Sequence, residues 1–277
     1  MNHRLGCIFA HPDDETFCAG GTIAKYADAG IPADLFCATN GDAGKSSGVP
    51  ISSREELATI RRVELNAATR VLGVETVVAP GYDDGTLNQL DPTELIGDMV
   101  AFIRRTRPTV IVTFGPEGAP TGHRDHRAIS RAATAAFFLS GLPTSYTDQI
   151  SDGLAAHRAQ RLYYHAWPFP HVDPTLKLES VPATAVIDVR PWNERKLAAF
   201  MAHATQRFAH DLFVRAVLLA DLLATQKRVL EIEEELLRNS RMVLERQRRA
   251  LVWFAPFMLL VLMSPYIPWL ISRLVLR

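Results

Sequence analysis

Apolar runs and helical periodicities alternate along the chain as far as residue 139. Residues 5–10 (LGCIFA) read as a buried strand, and 17–30 (FCAGGTIAKYADAG) as a helix ended by Gly30. Residues 33–39 (ADLFCAT) are a second strand. Residues 53–72 follow as a helix in which Leu57, Ile60, Leu65, Ala68 and Leu72 recur at helical spacing. A strand at 74–79, a helix at 93–106, the very apolar strand 109–114 (TVIVTF) and a helix at about 124–139 complete the series. Such alternation predicts a parallel sheet covered on both faces, a Rossmann-like α/β fold with the sheet sandwiched by helices. Residues 143–182 and beyond carry strand-like runs (RLYYHAW, ATAVIDV) without a readable motif, and His165 and His171 read as structural or surface histidines.

Beyond residue 207 the pattern changes. Residues 208–255 contain neither proline nor glycine, and adjacent apolar pairs recur every seven residues, at Leu222/Leu223, Val229/Leu230, Leu236/Leu237, Val243/Leu244 and Ala250/Leu251. This spacing predicts a long helix with one apolar stripe, able to pair with a second chain as a homo-oligomer or to dock on its own domain. Residues 250–272 carry no charge, and about 20 apolar residues suffice to cross a bilayer. Trp253 and Trp269 near its ends and the preceding Arg246, Arg248 and Arg249 predict a C-terminal anchor with the rest of the chain on the cytoplasmic face. Pro256, Pro265 and Pro268 would kink a spanning helix or favour a re-entrant one. The expected divisions are therefore a catalytic domain at 1–207, a helical extension at 208–249 and a hydrophobic segment at 250–277.

Composition narrows the functions. Thirty basic and thirty acidic residues balance, so no overall field draws the protein to nucleic acid. Three cysteines, Cys7, Cys18 and Cys37, make neither a CxxC pair nor a disulfide framework, and the opening MNHRLGCIFA is too soon interrupted by charge for a secretory signal. Both point to a cytoplasmic catalytic part.

The chemistry gathers after the strands. Open parallel sheets bind ligands at the carboxyl ends of their strands, and there the chain places HPDDE, TNGDAG (39–44), GYDDG (81–85) and GPEGAPTGHRDH (115–126). Three adjacent carboxylates in HPDDE repel one another unless a cation compensates them. Catalytic zinc commonly takes three protein ligands and leaves a position for water. His11 and Asp14 can reach one ion, and His126 can supply the third ligand from a distant loop. Asp13 then stands beside the metal as a general base. His123 is placed to stabilise an oxyanion, with Asp125 as the partner that keeps it protonated. Taken alone, HxxD also suits a helix cap and HRDH a solvated loop; two such clusters on one sheet edge favour metal.

In order and spacing, AHPDDE, Gly20–Gly21, TNGDAG, RVELNAATRVLG, DDGTL, VTFGPEGAPTGHRDHRA and KLAAFMAHATQ resemble the PIG-L/LmbE-like deacetylase superfamily over about residues 4–207. The resemblance implies a zinc-dependent hydrolase that removes an N-acetyl group from an N-acetylglucosamine-type conjugate, small or lipid-linked, with Fe2+ as another divalent ion such a site accepts. It implies the same roles for His11, Asp14, His126, Asp13 and His123, and adds Arg61 and Asp84 as substrate contacts. His203 and Gln206 lie in HATQ where the family commonly shows HxSQ, a change that keeps a hydroxyl and touches only a supporting role. Two other classes share parts of the pattern: a glycan-binding relative without catalysis, and a metal-dependent phosphoesterase. The latter would more naturally show ligands for a second metal or a phosphate-cradling glycine loop.

Overall fold

A computed structural model describes residues 3–166, 183–206, 228, 231–242 and 245, in two compact units spanning 1–214 and 215–277. The first unit is built on five parallel strands, β1 (Leu5–Phe9), β2 (Ala33–Cys37), β3 (Val74–Val78), β4 (Val110–Phe114) and β5 (Arg161–His165), in the order β3-β2-β1-β4-β5. Its helices are α1 (Gly20–Asp28), α2 (Arg54–Leu72), α3 (Pro92–Thr106), α4 (Arg124–Leu139), the single turn α5 (Thr147–Ser151) and α6 (Asn193–Met201). The packing partners, α1 with α2 and α6 and α3 with α4, together with right-handed crossovers, place these two groups on opposite faces of the sheet. Between them lies a core of Ile8, Phe9, Leu35, Phe36, Ile111 and Phe114 from the strands and Leu65, Phe102, Ile103 and Ile129 from the helices.

Local signals explain where the elements begin and end. The Ser53 hydroxyl accepts from the Glu56 N–H at 3.2 Å and the Glu56 carboxylate accepts from the Ser52 N–H at 2.7 Å, fixing the start of α2. Gly73, at φ +83°, closes it in the left-handed conformation. Asp91 caps α3 through the Thr93 N–H, and Pro92 fits the first helical position. Arg104, fully buried on α3, donates to the carbonyls of Ser140, Leu142, Ser145 and Tyr146 and to Gln149, binding the end of α4 and the turn after it.

Two expectations are corrected. The helix foreseen over 17–30 begins as a π-turn at Glu15–Ala19 and only then becomes α1. Wide turns of this kind concentrate at functional sites, where the chain must re-aim side chains. The run ATAVIDV is no strand: residues 183–189 are irregular, Val186 is 87% exposed, and Val189 packs instead on Gly21 of α1, where a Cβ would lie 2.7 Å from its own. RLYYH does form a strand, β5, paired to β4.

In the second unit residues 231–242 are helical, with Ile232, Leu236, Leu237 and Met242 exposed. The other repeat pairs, His171 and the whole segment 250–277 lie outside the described residues; among the described ones no helix is long and apolar enough to cross a membrane.

Candidate metal centre

The strand order reverses between β1 and β4, and a parallel sheet opens a crevice at such a point. HPDDE leaves β1 and GHRDH follows β4, so sequence positions more than a hundred residues apart face one another across this crevice. The Asp14 carboxylate folds back on its own turn: Oδ2 accepts from the His11 N–H at 2.8 Å and lies 3.2 Å from His11 Nδ1. Its other oxygen, Oδ1, is 3.4 Å from His126 Nε2, and the rings of His11 and His126 are 5.3 Å apart. The three expected ligands are therefore brought together.

Each ring is held in the orientation a metal ligand needs. His126 Nδ1 lies 3.2 Å from the Gly118 carbonyl and 3.4 Å from the Thr121 hydroxyl, and the ring stacks on Phe114 with centroids 4.0 Å apart. A proton on Nδ1 leaves the lone pair on Nε2, facing Asp14. On His11 the opposite nitrogen is engaged: Nε2 lies 3.0 Å from Asp84 Oδ1 and 3.4 Å from Asp125 Oδ2, leaving Nδ1 toward Asp14. Outer carboxylates that orient a metal-binding imidazole in this way are the rule at such sites.

The donor set also fits by size and charge. A tetrahedron with bonds of about 2.1 Å has edges of about 3.4 Å, and the Asp14 carboxylate lies at such distances from both imidazoles, through Oδ2 to His11 (3.2 Å) and through Oδ1 to His126 (3.4 Å). Among the described residues, two groups of side chains offer ligand atoms within 4.8 Å of one another, His11/His123/His126 and His11/Asp84/Asp125. Asp14 bridges the histidines of the first. Burial keeps His126 neutral, its pKa pushed down to about 4. Burial opposes the charges on Asp14 and His11, but His11, through its ring and its backbone N–H, holds the Asp14 carboxyl well below its usual range, and Asp125, Asp14 and Asp84 raise His11 well above its own.

Asp13 lies beside this cluster with φ +107°, a backbone region L-residues seldom occupy. Burial raises its carboxyl to about 6, against the pull of Arg61, so it can gain and lose a proton near neutrality. Arg61, expected at the substrate, is only 3% exposed and faces inward. Its guanidinium donates to the carbonyls of Gly41 (2.7 Å) and Pro12 (2.6 Å) and reaches Asp13 Oδ2 at 3.3 Å. It thus fastens two loops and the base to α2, because a buried cation must be met by acceptors. Asp84 is likewise turned to His11 and to the Ala43 N–H rather than outward.

The tight fit around Arg61 explains two glycines of TNGDAG: a Cβ on Gly41 or Gly44 would come within 2.4 or 2.6 Å of Arg61 Nη1. Gly41 also sits at φ +67°. Gly41→Ala should therefore cost about 2–4 kcal/mol, against about 1 kcal/mol for Gly30→Ala, which shares the positive φ but has open space around it. Urea denaturation of both variants checks this; equal losses would mean that the guanidinium does not press on Gly41.

His123 is near the cluster, its ring 5.0 Å from that of His11 and 5.4 Å from that of His126. The hydrogen bond expected between the Asp125 carboxylate and His123 is not formed. His123 is the N-cap of α4 and its Nδ1 accepts the backbone N–H of Asp125 at 3.2 Å, while the Asp125 carboxylate turns to the Gly85 N–H (2.7 Å) and to His11. Burial and the neighbouring His11 lower the pKa of His123. With Nδ1 accepting, the neutral ring carries its proton on Nε2 and is a donor without being a cation. Asp125 Oδ1 is buried without a hydrogen-bond partner.

The sequence did not reveal a second layer. Glu15 and His203 are fully buried and paired at 2.8 Å. Burial opposes both charges, yet each partner outweighs it, lowering Glu15 and raising His203. Glu64 accepts from the Thr205 N–H at 2.8 Å and hydroxyl at 2.7 Å, and the Ser47 N–H donates to the Thr205 carbonyl at 2.9 Å. The acid ending HPDDE and the histidine in HATQ were its only sequence signals.

Comparison with known proteins gives a concordant picture. The family described as PIG-L, GlcNAc-PI de-N-acetylase, matches residues 7–137. A protein of Bacillus anthracis named probable N-acetyl-alpha-D-glucosaminyl L-malate deacetylase 2 is 31% identical over 200 residues, covering 72% of this chain and 79% of that one. A Rhodococcus erythropolis protein named 1D-myo-inositol 2-acetamido-2-deoxy-alpha-D-glucopyranoside deacetylase is 33% identical over 238 residues, covering 73% and 81%. Among solved structures, the N,N'-diacetylchitobiose deacetylase of Pyrococcus horikoshii matches with a TM-score of 0.61 at 27% identity, covering 73% of this chain and 70% of that one.

Proposed function

Because the chain belongs to the PIG-L family and is a metal-dependent N-deacetylase, we propose that it releases acetate from an N-acetylglucosamine-type conjugate, with zinc held by His11, Asp14 and His126. The observation that carries this reading is the meeting of two oriented imidazoles and one carboxylate at the sheet's reversal point, with the Asp13 carboxyl beside them. When bound there, a zinc ion would polarise the acetamide carbonyl and acidify a water.

The chain's own groups do the rest. Asp13 takes the proton of the attacking water, for which a carboxyl raised to about 6 is suited. His123, its Nδ1 occupied by the Asp125 N–H, offers Nε2–H to the carbonyl oxygen as negative charge gathers there. Asp13 then hands its proton to the departing amine, leaving acetate and a free amino sugar. Asp84 and Asp125 hold the His11 ring, and Arg61 anchors the loop that bears Asp13.

The sugar-bearing relatives motivate the choice of probes. Zinc-loaded protein should release acetate from N-acetylglucosaminyl malate or from the N-acetylglucosaminyl inositol conjugate and should release no phosphate from a phosphoester panel. Acetate absent from both sugars would overturn the reading.

Residues 250–272, uncharged throughout, and the arginines before them support attachment to the cytoplasmic face of a membrane, and the exposed apolar side chains at 232, 236, 237 and 242 support self-association through the extension at 208–249. The full chain should stay in the pellet after an alkaline carbonate wash. Its release into the supernatant would count against an integral anchor.

A further inference from the structure

The backbone of Asp13 poses a question that its proposed chemistry leaves open. At φ +107° it lies beyond even the left-handed region that Asp tolerates, and such a residue keeps its conformation only when its surroundings over-determine it. Its carbonyl accepts from the N–H groups of Thr16 (3.0 Å) and Phe17 (2.9 Å), which begin the π-turn. Its own N–H donates to Glu15 Oε2 at 3.0 Å. The other oxygen of Glu15 accepts the Thr16 hydroxyl at 2.5 Å and meets His203 Nε2 at 2.8 Å.

Glu15 and His203 are both at 0% exposure. Two such charges cost several kcal/mol in desolvation, and apolar side chains of similar size would often serve stability as well. Neither belongs to a group of potential metal ligands among the described residues. What the pair does touch is the peptide N–H of Asp13. His203 arrives from the far end of the unit, on a segment secured by Glu64 to Thr205 and by the Thr205 carbonyl to Ser47.

We propose that Glu15, held by His203, is a positioning residue that clamps the Asp13 peptide in its unfavourable conformation and so keeps the base aimed at the reacting water. This inference rests on the role given to Asp13 above. It makes the C-terminal HATQ segment part of the machinery, through the backbone of the base.

A double-mutant cycle tests it. Glu15→Gln retains an acceptor but loses the charge that His203 meets; it should lower kcat for acetate release about 10- to 100-fold, with KM and zinc affinity each within about threefold. In an Asp13→Asn background the same change should cost less than about twofold, because the group it positions is already gone. His203→Gln, which keeps a donor toward Glu15 Oε1, should show the same coupling at smaller amplitude. Equal losses in both backgrounds, or loss of zinc in proportion to activity, would overturn the proposal. So would failure of both single variants to fold, since the pair would then serve the fold alone. Hydrogen exchange needs no turnover: the Asp13 amide should exchange faster in Glu15→Gln, and unchanged protection would refute the clamp whatever the substrate. No acetate release by the wild type, together with this faster exchange in Glu15→Gln, would sink the functional reading and leave the clamp standing.

Discussion

Asp13→Asn should keep its full complement of zinc and lose turnover by about 100- to 10,000-fold, the range expected when a positioned general base is removed. The amide preserves size, leaves an oxygen for Arg61, and is the side chain that best tolerates a positive φ after glycine. What it loses is the ability to carry a proton. Steady-state acetate release, paired with metal analysis of the same preparation, separates the two effects. Turnover within tenfold of wild type would mean that another group accepts the proton.

His126→Ala should do the reverse, emptying the site. Removing one of three donors must cost more than the 10- to 100-fold in metal affinity that changes in outer partners typically cost, and the structure supplies those partners for comparison. Toward the proposed ligands, Asp84→Asn disturbs the far nitrogen of His11, 3.0 Å away, and Thr121→Val a 3.4 Å contact to His126 Nδ1; each also loses or weakens an acceptor for a backbone N–H, of Ala43 and of His123 respectively. Zinc titration of the stripped proteins should rank them wild type, Thr121→Val, Asp84→Asn, His126→Ala, in order of falling affinity. If Asp84→Asn lost zinc as completely as His126→Ala, the ion would belong instead to the His11/Asp84/Asp125 group, whose ligand atoms also lie within 4.8 Å.

Four strands of the sheet were legible in the sequence because each is a short apolar run with a polar loop at its carboxyl end; β5, RLYYH, was read only as a strand-like run. Loop positions then followed from topology alone. Side-chain direction did not. Asp125 was expected on His123, two residues away, but the first turn of α4 spends the Asp125 N–H on that imidazole and sends the carboxylate toward Gly85 and His11. The resemblance put Arg61 at the substrate without saying which way it faces; its guanidinium lies inward on the Gly41 and Pro12 carbonyls, where the glycines at 41 and 44 leave it room. The Glu15–His203 pair spans 188 positions, beyond any spacing rule.

The reversal of strand order beside β1 has a consequence for how the protein is made. On the ligand set proposed above, a nascent chain that has emerged only as far as α2 would own His11 and Asp14 but could not yet retain a zinc ion, because His126 and the Gly118 carbonyl beside it follow β4 in the chain. Loading therefore waits on folding, and an ion once captured draws the equilibrium toward the native state, so cellular zinc supply would govern how much of this chain survives quality control.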